Sequence, residues 1–569
     1  MALSRLFITI GTPIISAVIY VLSIGYRHRL RISRLRKQGV AMPAGWSWWF
    51  GHLRVLDEKL SRLPPDANVY MAMEDLVSDH AATEVFLMDY WPVFQPVLMI
   101  FGPELAVQAS IRHDLPKPHD QQESFRPVVG GPSLITMNNE QWRMWRSLLS
   151  PGFSASHMLS LVPTIVDAID VFCERLRKHV GGGVFSLDDM ATRLAMDVIT
   201  RTTLDTDLDN QRSEHKLSHA LNTILNWHSF WDPRILLNPL RIPVQWYYGR
   251  VTALFIRQEL QKRFEEMKTD RATIGGTLGR ARKAKSVIAL ALEEYITMKH
   301  ETNKEAFDSM ELDKDFAQIA ANQIRLFIFA GNDSTATTIV YTYHMLFQHP
   351  SVLAKVREEH DAIFGRGPDA GDRLRDNPVL INLCRYTLAV VKETLRLYPP
   401  ASSIREGLTG VSLTDREGNV IPTEHLNATI MHRYVHVNKR IWPRPMEFLP
   451  ERWLVEPGHE LHPPSGGYRP FELGPRNCIG QTLVLNELRI ALIMTVREFS
   501  IRPAYDEWDA MKLANESLYG KLLRQLGLRK SHCKTVLGER AYQTSRAGAH
   551  AADGYPCRVS LLKAEAHCC

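Results

Sequence analysis

Three groups of residues have types and spacings that could do chemistry. Cys478 stands in Pro470-Phe471-Glu472-Leu473-Gly474-Pro475-Arg476-Asn477-Cys478-Ile479-Gly480. A glycine- and proline-bearing turn precedes it, and the apolar spacing from Gln481 onward predicts a helix. A cysteine at a helix N-terminus meets free backbone N–H groups and the positive end of the helix dipole, which favour its thiolate. Gly474 suits a strained turn, and Gly480 lets a flat body approach the helix backbone closely. The second group is Asp333-Ser334-Thr335, inside the periodic helical stretch 316–347 and just after the apolar run Leu326-Phe327-Ile328-Phe329-Ala330-Gly331. A carboxylate placed there is costly unless it is hydrogen-bonded or used. The two hydroxyls lie about 100° apart around the helix, so one site takes Ser334 or Thr335. Hydroxyls that only bond back to the preceding turn remain the plainer alternative. The third group is made of helix-face pairs: Trp142 with Arg146 four apart, and Glu393 with Arg396 three apart. Taken alone, such pairs are common on surface helices.

Phe471-x-x-Gly474-x-Arg476-x-Cys478-x-Gly480 resembles the haem-binding loop of the cytochrome P450 family. The resemblance implies that Cys478 is the axial ligand of the iron of haem b, with Phe471, Gly474 and Gly480 shaping the cradle. Trp142-x-x-x-Arg146 resembles the family's W-x-x-x-R element, whose arginine meets a haem propionate. Arg405, after Ala401–Ile404, and Arg476 stand at positions with the same implication, and a guanidinium fork suits a carboxylate. Ala330-Gly331-Asn332-Asp333-Ser334-Thr335 resembles the family's oxygen-handling helix segment. It implies room beside the iron at Gly331, proton transfer at Asp333, and a hydroxyl at Ser334, with Thr335 as second choice. Serine replaces the usual threonine; it keeps the donor and acceptor but loses the methyl that restricts the rotamer. Glu393 and Arg396, with Arg452 of Phe448-Leu449-Pro450-Glu451-Arg452-Trp453, imply a buried ion network that locks the scaffold. His432 has no partner at ligand spacing and reads as a structural histidine.

These residues must be carried by a large folded body. The chain has 569 residues, 45% apolar and 23% charged, which is ordinary globular composition. A net charge of +6 is too mild to argue for nucleic acid. Seven widely spaced cysteines form neither a disulfide framework nor a CxxC site. Leu6 to Tyr26 carries no charge, and Arg27, Arg29, Arg31, Arg34, Arg36 and Lys37 follow. This pattern predicts one transmembrane signal-anchor helix over 1–26 with the remainder cytosolic. A basic patch and degenerate hinge would occupy 27–44, and a catalytic domain 45–530, mainly α with a small β-sheet region. Residues 531–569 show little periodicity and predict a disordered extension. The aperiodic stretch 114–134 predicts a loop at the pocket rim, and the aromatic-rich stretch 216–245 predicts core or a channel roof.

The resemblance further implies an endoplasmic reticulum enzyme that inserts one oxygen atom of O2 into a small apolar substrate, in the manner of fungal-type enzymes of secondary metabolism. Electrons would come from NADPH through NADPH-cytochrome P450 reductase, with cytochrome b5 as a further partner. Two other readings stay open: a haem-thiolate isomerase or dehydratase that acts on a hydroperoxide without a reductase, and an inactive haem-binding relative.

Overall fold

Residues 2–229, 233–274, 286–303, 311–517 and 533–562 are described by the computed structural model. The helices that matter to the site are α1 (Ala2–Lys37), α2 (His119–Val129), α3 (Asn139–Leu149), α4 (Val162–His179), α5 (Leu187–Leu204), α6 (Lys314–Gln348), α7 (Arg385–Leu397) and α8 (Gln481–Thr495). The Asp313 side chain caps α6 by accepting from the Phe316 N–H at 2.9 Å. Ser186 caps α5 through Asp189 N–H at 3.1 Å, and Asp188 and Asp189 lie in the first turn where the dipole favours acids. Helix α6 is buried on nearly every side between Ala320 and Leu346, so it runs through the core. It packs against α5, α7, α8 and α2.

The β structure is small and mixed. One sheet has the order β1-β2-β7-β4, from Val85–Met88, Val97–Ile100, Asn427–Ile430 and Ser403–Glu406. The β2/β7 pair is parallel and the other two pairs are antiparallel. Arg405 faces Ala428 in the β4/β7 register. Strand alternation turns Ser403 and Arg405 inward. A second sheet places β9 (Pro556–Leu561) between β3 (Phe185–Ser186) and β8 (Phe499–Pro503). The hairpin β5-β6 (Ser412–Thr414, Val420–Pro422) stands apart. The mainly helical body with a small sheet agrees with the sequence-based expectation.

The expected membrane span does not. Among the described residues no helix is long and apolar enough to cross a membrane. The uncharged run is the first part of α1, which continues without a break through the basic patch to Lys37. From Gly25 onward this helix belongs to the domain. A Cβ on Gly25 would lie 2.8 Å from the Trp91 ring, and Ile32 and Leu35 are buried. Arg29 is buried against the Asp89 carboxylate, donates to Trp91 O at 2.9 Å and sits over the Trp91 ring. His28 meets Asp89 at 2.9 Å. The single-pass topology and the endoplasmic reticulum placement drawn from it are therefore withdrawn.

The C-terminal expectation is also corrected. Residues 533–562 are built into the domain. Ile501 pairs with Val559 and Phe185 with Cys557. Tyr555, Cys557 and Ala552 are fully buried. The segment hides its apolar side chains in non-helical backbone paired to distant strands, so no local period announces it. The rest of the stretch read as an extension, residues 531–532 and 563–569, lies outside the described residues.

Candidate active site

The cysteine loop is closed by Cys478 N–H donating to Phe471 O at 2.8 Å and Asn477 N–H to Gly474 O at 3.1 Å. Gly474 has φ 87°, and a Cβ there would lie 3.0 Å from Ser110 O, so both conformation and space require glycine. Gly480 caps α8, and a Cβ on it would touch only the Cys478 sulfur, at 3.9 Å. One face of that backbone is thus clear. Cys478 is exposed and its thiol is free. Desolvation pushes its pKa up, opposed by the N–H groups of Gly480 and Gln481 and by the Arg146 guanidinium. Arg146 spends Nη1 on Asn477 O and Nη2 on Asn477 Oδ1, both at 2.8 Å. These bonds hold the cysteine loop against α3.

Three cations gather near this loop. Arg405 is fully buried; it donates to Leu115 O at 3.1 Å, while its Nε and Nη2 have no partner among the described residues. Arg476 reaches Met137 O at 2.9 Å and Asn138 Oδ1 at 2.8 Å, and lies 4.7 Å over the Trp142 ring. Burial, then Arg405, lower its pKa to about 10. Lys117 donates to Ile404 O at 3.3 Å. Burial, then the Arg405 charge, bring it down to about 7. Arg405 is a buried cation with orphaned N–H groups, which is costly alone, and Lys117 and Arg476 beside it are half-buried. They form a donor set for the two carboxylates of a haem, so the residues present fit that group. Lys117 was missed in the sequence, where a lone lysine in a proline-bearing loop gives no signal.

The middle of α6 shows a second open face. Ala330 is exposed and Ser334 half-buried, four apart on one side of an otherwise buried helix. Ser334 Oγ donates back to Ala330 O at 2.8 Å. Thr335 is fully buried, its Oγ1 without a partner among the described residues. Of the two hydroxyls, Ser334 is therefore the one on the open face. Gly331 does not make room on that face. A Cβ on it would lie 2.7 Å from Ile199 Cδ1, so the glycine serves the close approach of α5. Asp333 points away from the Ser334 side and is nearly buried, with Oδ1 2.8 Å from His550 Nε2. His550 was also missed, because it lies 217 positions away in the segment read as disordered.

Glu393, Arg396 and Arg452 do come together, all fully buried. Arg396 Nε and Nη2 donate to the Glu393 carboxylate at 3.0 and 2.8 Å, and Arg452 Nε at 3.2 Å. Leu449 N–H and Trp453 Nε1 complete the carboxylate's bonds. Arg396 also binds His436 O and Glu447 O, tying α7 to the loop before Cys478. His432 is a buried partner of Glu472 at 3.3 Å. Burial would raise the Glu472 carboxyl, but His432 and Arg469 hold it well below the usual range. A separate cavity of about 680 Å³ between Met345, Tyr398, Arg433 and Glu451 contains none of the Cys478, Arg405 or Ser334 groups.

A cysteine beside a clear helix backbone, a cluster of cations suited to carboxylates and an acid–hydroxyl helix describe a haem-thiolate protein. Comparison with known proteins agrees. A family model described as cytochrome P450 matches residues 61–525. Cytochrome P450 monooxygenase polC of Polytolypa hystricis is 36% identical over 545 residues, covering 94% of this chain and 92% of that one. Cytochrome P450 monooxygenase acrF of Aspergillus aculeatus is 32% identical over 469 residues, 79% of this chain and 90% of its own. Cytochrome P450 3A16 of Mus musculus is 28% identical over 438 residues, 75% of this chain and 82% of its own. The chain belongs to the cytochrome P450 family and is a haem-thiolate monooxygenase. Membership implies a haem, an NADPH-dependent reductase and an apolar substrate.

Proposed function

We propose that Cys478 is the thiolate ligand of the haem iron, in an enzyme that oxygenates an apolar substrate of fungal secondary metabolism. The observation that carries the site is the open, free thiol of Cys478 on the loop that Gly474 and Gly480 shape. Bound there, a haem supplies the redox chemistry by which one atom of dioxygen enters the substrate and the other leaves as water. The chain's own residues bind and orient. Lys117, Arg405 and Arg476 hold the two propionates, and Trp142 supports Arg476 from below. Arg146 fixes the loop through Asn477 so that the sulfur keeps its direction. Glu393, Arg396 and Arg452 brace the same side of the scaffold. Ser334 Oγ presents a hydroxyl on the open face of α6, and the Asp333 carboxyl, which here faces His550, delivers a proton to it by turning toward that face. Phe125 of α2 and Phe329 of α6, with ring centres 6.4 Å apart, give the space above an apolar wall. The fungal relatives polC and acrF support the metabolic setting. The test is turnover of an apolar probe such as lauric acid by holoenzyme, with reductase and NADPH. Product that requires both supports a monooxygenase; rearrangement of a lipid hydroperoxide that proceeds unchanged without either supports the isomerase reading.

A further inference from the structure

We infer that His550 is a positioning residue that supplies protons to Asp333, as the centre of a buried Asp188–His550–Asp333 relay built across α5, the C-terminal segment and α6. This rests on the proposed role of Asp333. His550 Nδ1 lies 2.6 Å from Asp188 Oδ1, and Nε2 lies 2.8 Å from Asp333 Oδ1. All three side chains are nearly buried. The segment is held against α6 by its own geometry. A Cβ on Gly548 would come within 2.8 Å of Asp333 O, so glycine permits the approach. Thr544 accepts the turn by donating N–H and Oγ1 to His550 O at 2.9 and 2.8 Å. Tyr341 of α6 donates to Ala541 O at 3.0 Å. The outer end of the relay is open. Arg546 reaches Asp188 Oδ2 at 3.3 Å, and Ser545, Arg546 and Ala547 are exposed.

The groups facing the imidazole are Asp188 from α5 and Asp333 from α6. Arg546 stands beside Asp188, and Tyr341 lies in the field of Asp188. Burial opposes the imidazolium, but the two carboxylates outweigh it and raise its pKa to about 9. Burial would also raise the Asp188 carboxyl, yet His550 keeps it low. His550 is therefore charged across neutral pH, with both ring N–H groups spent on acids. In one transfer the Nε2 proton passes to Asp333 Oδ1. The ring is left neutral, with Nδ1–H still donating to Asp188, and it recharges when Nε2 takes a proton from water that enters past the exposed turn of residues 545–547. No electrons move.

The test compares wild type with His550→Gln, Asp188→Asn and Asp333→Asn as holoenzymes, by partition of NADPH electrons between hydrogen peroxide and water with reductase and no added substrate. Glutamine can keep one hydrogen bond but cannot relay a proton. The relay predicts wild-type haem loading for His550→Gln, several-fold more peroxide per NADPH, and loss of the wild type's decline in water formation as pH rises through about 9. A second readout is independent of turnover. With histidine labelled at ring carbon, one resonance of the apoprotein titrates near pH 9, is absent from His550→Gln, and moves to lower pH in Asp188→Asn. If Asp333→Asn raises peroxide while His550→Gln matches wild type in yield and pH profile, the relay is wrong and the Asp333 assignment stands. If Asp333→Asn also changes nothing, the Asp333 assignment falls and takes the relay with it. Should His550→Gln fail to load haem, Asp188→Asn decides: an alkaline decline shifted to lower pH supports the relay, and an unchanged profile overturns it.

Discussion

At the scale of single residues, orphaned donors and open positions divide the work. Arg405 has two buried nitrogens without partners, the condition a carboxylate ligand relieves. Arg405→Met should weaken haem retention by about tenfold, as read from haem-to-protein ratio after gel filtration, with Arg405→Lys intermediate because one point charge replaces a fork. Ser334 bonds only its own helix turn, so Ser334→Ala should leave the fold intact. It should cut coupled product formation by roughly tenfold and release the difference as peroxide. Equal coupling in Ser334→Ala would move the hydroxyl role elsewhere. The charge on His550 also has a stability consequence. Its folded pKa lies above the ordinary 6.5, so its contribution is fully present below about 6.5 and lost as pH rises through about 9. Urea midpoints of wild type should fall over that window, and those of His550→Gln should fall less.

At the scale of elements, most of what could be read in the sequence was periodic or local. The run before Asp333 reads as a core helix and is one. The Cys478 loop is legible because turn, cysteine and helix start are neighbours. Glu393 and Arg396 share a helix face, although only the fold brings Arg452 to them. What was not legible depends on contacts between distant segments. Gly331 illustrates this: the sequence suggests space beside a cofactor, whereas its Cβ direction is filled by Ile199 of α5. Gly331→Ala should therefore destabilise by about 1–3 kcal/mol through overpacking. Ile199→Val should recover part of the loss in thermal denaturation, and no recovery would contradict the α5 contact as the cause. Removing one partner of the buried Glu393 network leaves uncompensated charge. Glu393→Gln should cost about 3–5 kcal/mol in urea unfolding, more than the exposed pair Arg444–Glu447 contributes.

At the scale of the molecule, the second part of α1, from Gly25, and residues 533–562 belong to the domain. The uncharged run continues without a break into a stretch of α1 where Arg29 and Ile32 are buried, and among the described residues no helix is long and apolar enough to cross a membrane. The C-terminal stretch escaped notice because its strand pairs across more than 50 residues with β8 and across more than 350 with β3. A chain stopped at residue 530 should therefore fail to load haem and show reduced helical signal by circular dichroism, since it loses β9, Tyr555 and the cover over Asp333. A truncated chain that loads haem normally would refute that structural role. The central claim is that Cys478 ligates the haem iron as thiolate. The direct measurement is the carbon monoxide difference spectrum of the reduced, haem-loaded protein, wild type beside Cys478→Ser. Wild type should show the strongly red-shifted Soret band of thiolate ligation, and Cys478→Ser should lack it. A well-folded, haem-loaded wild type without that band, or a Cys478→Ser protein that keeps it, would contradict the account.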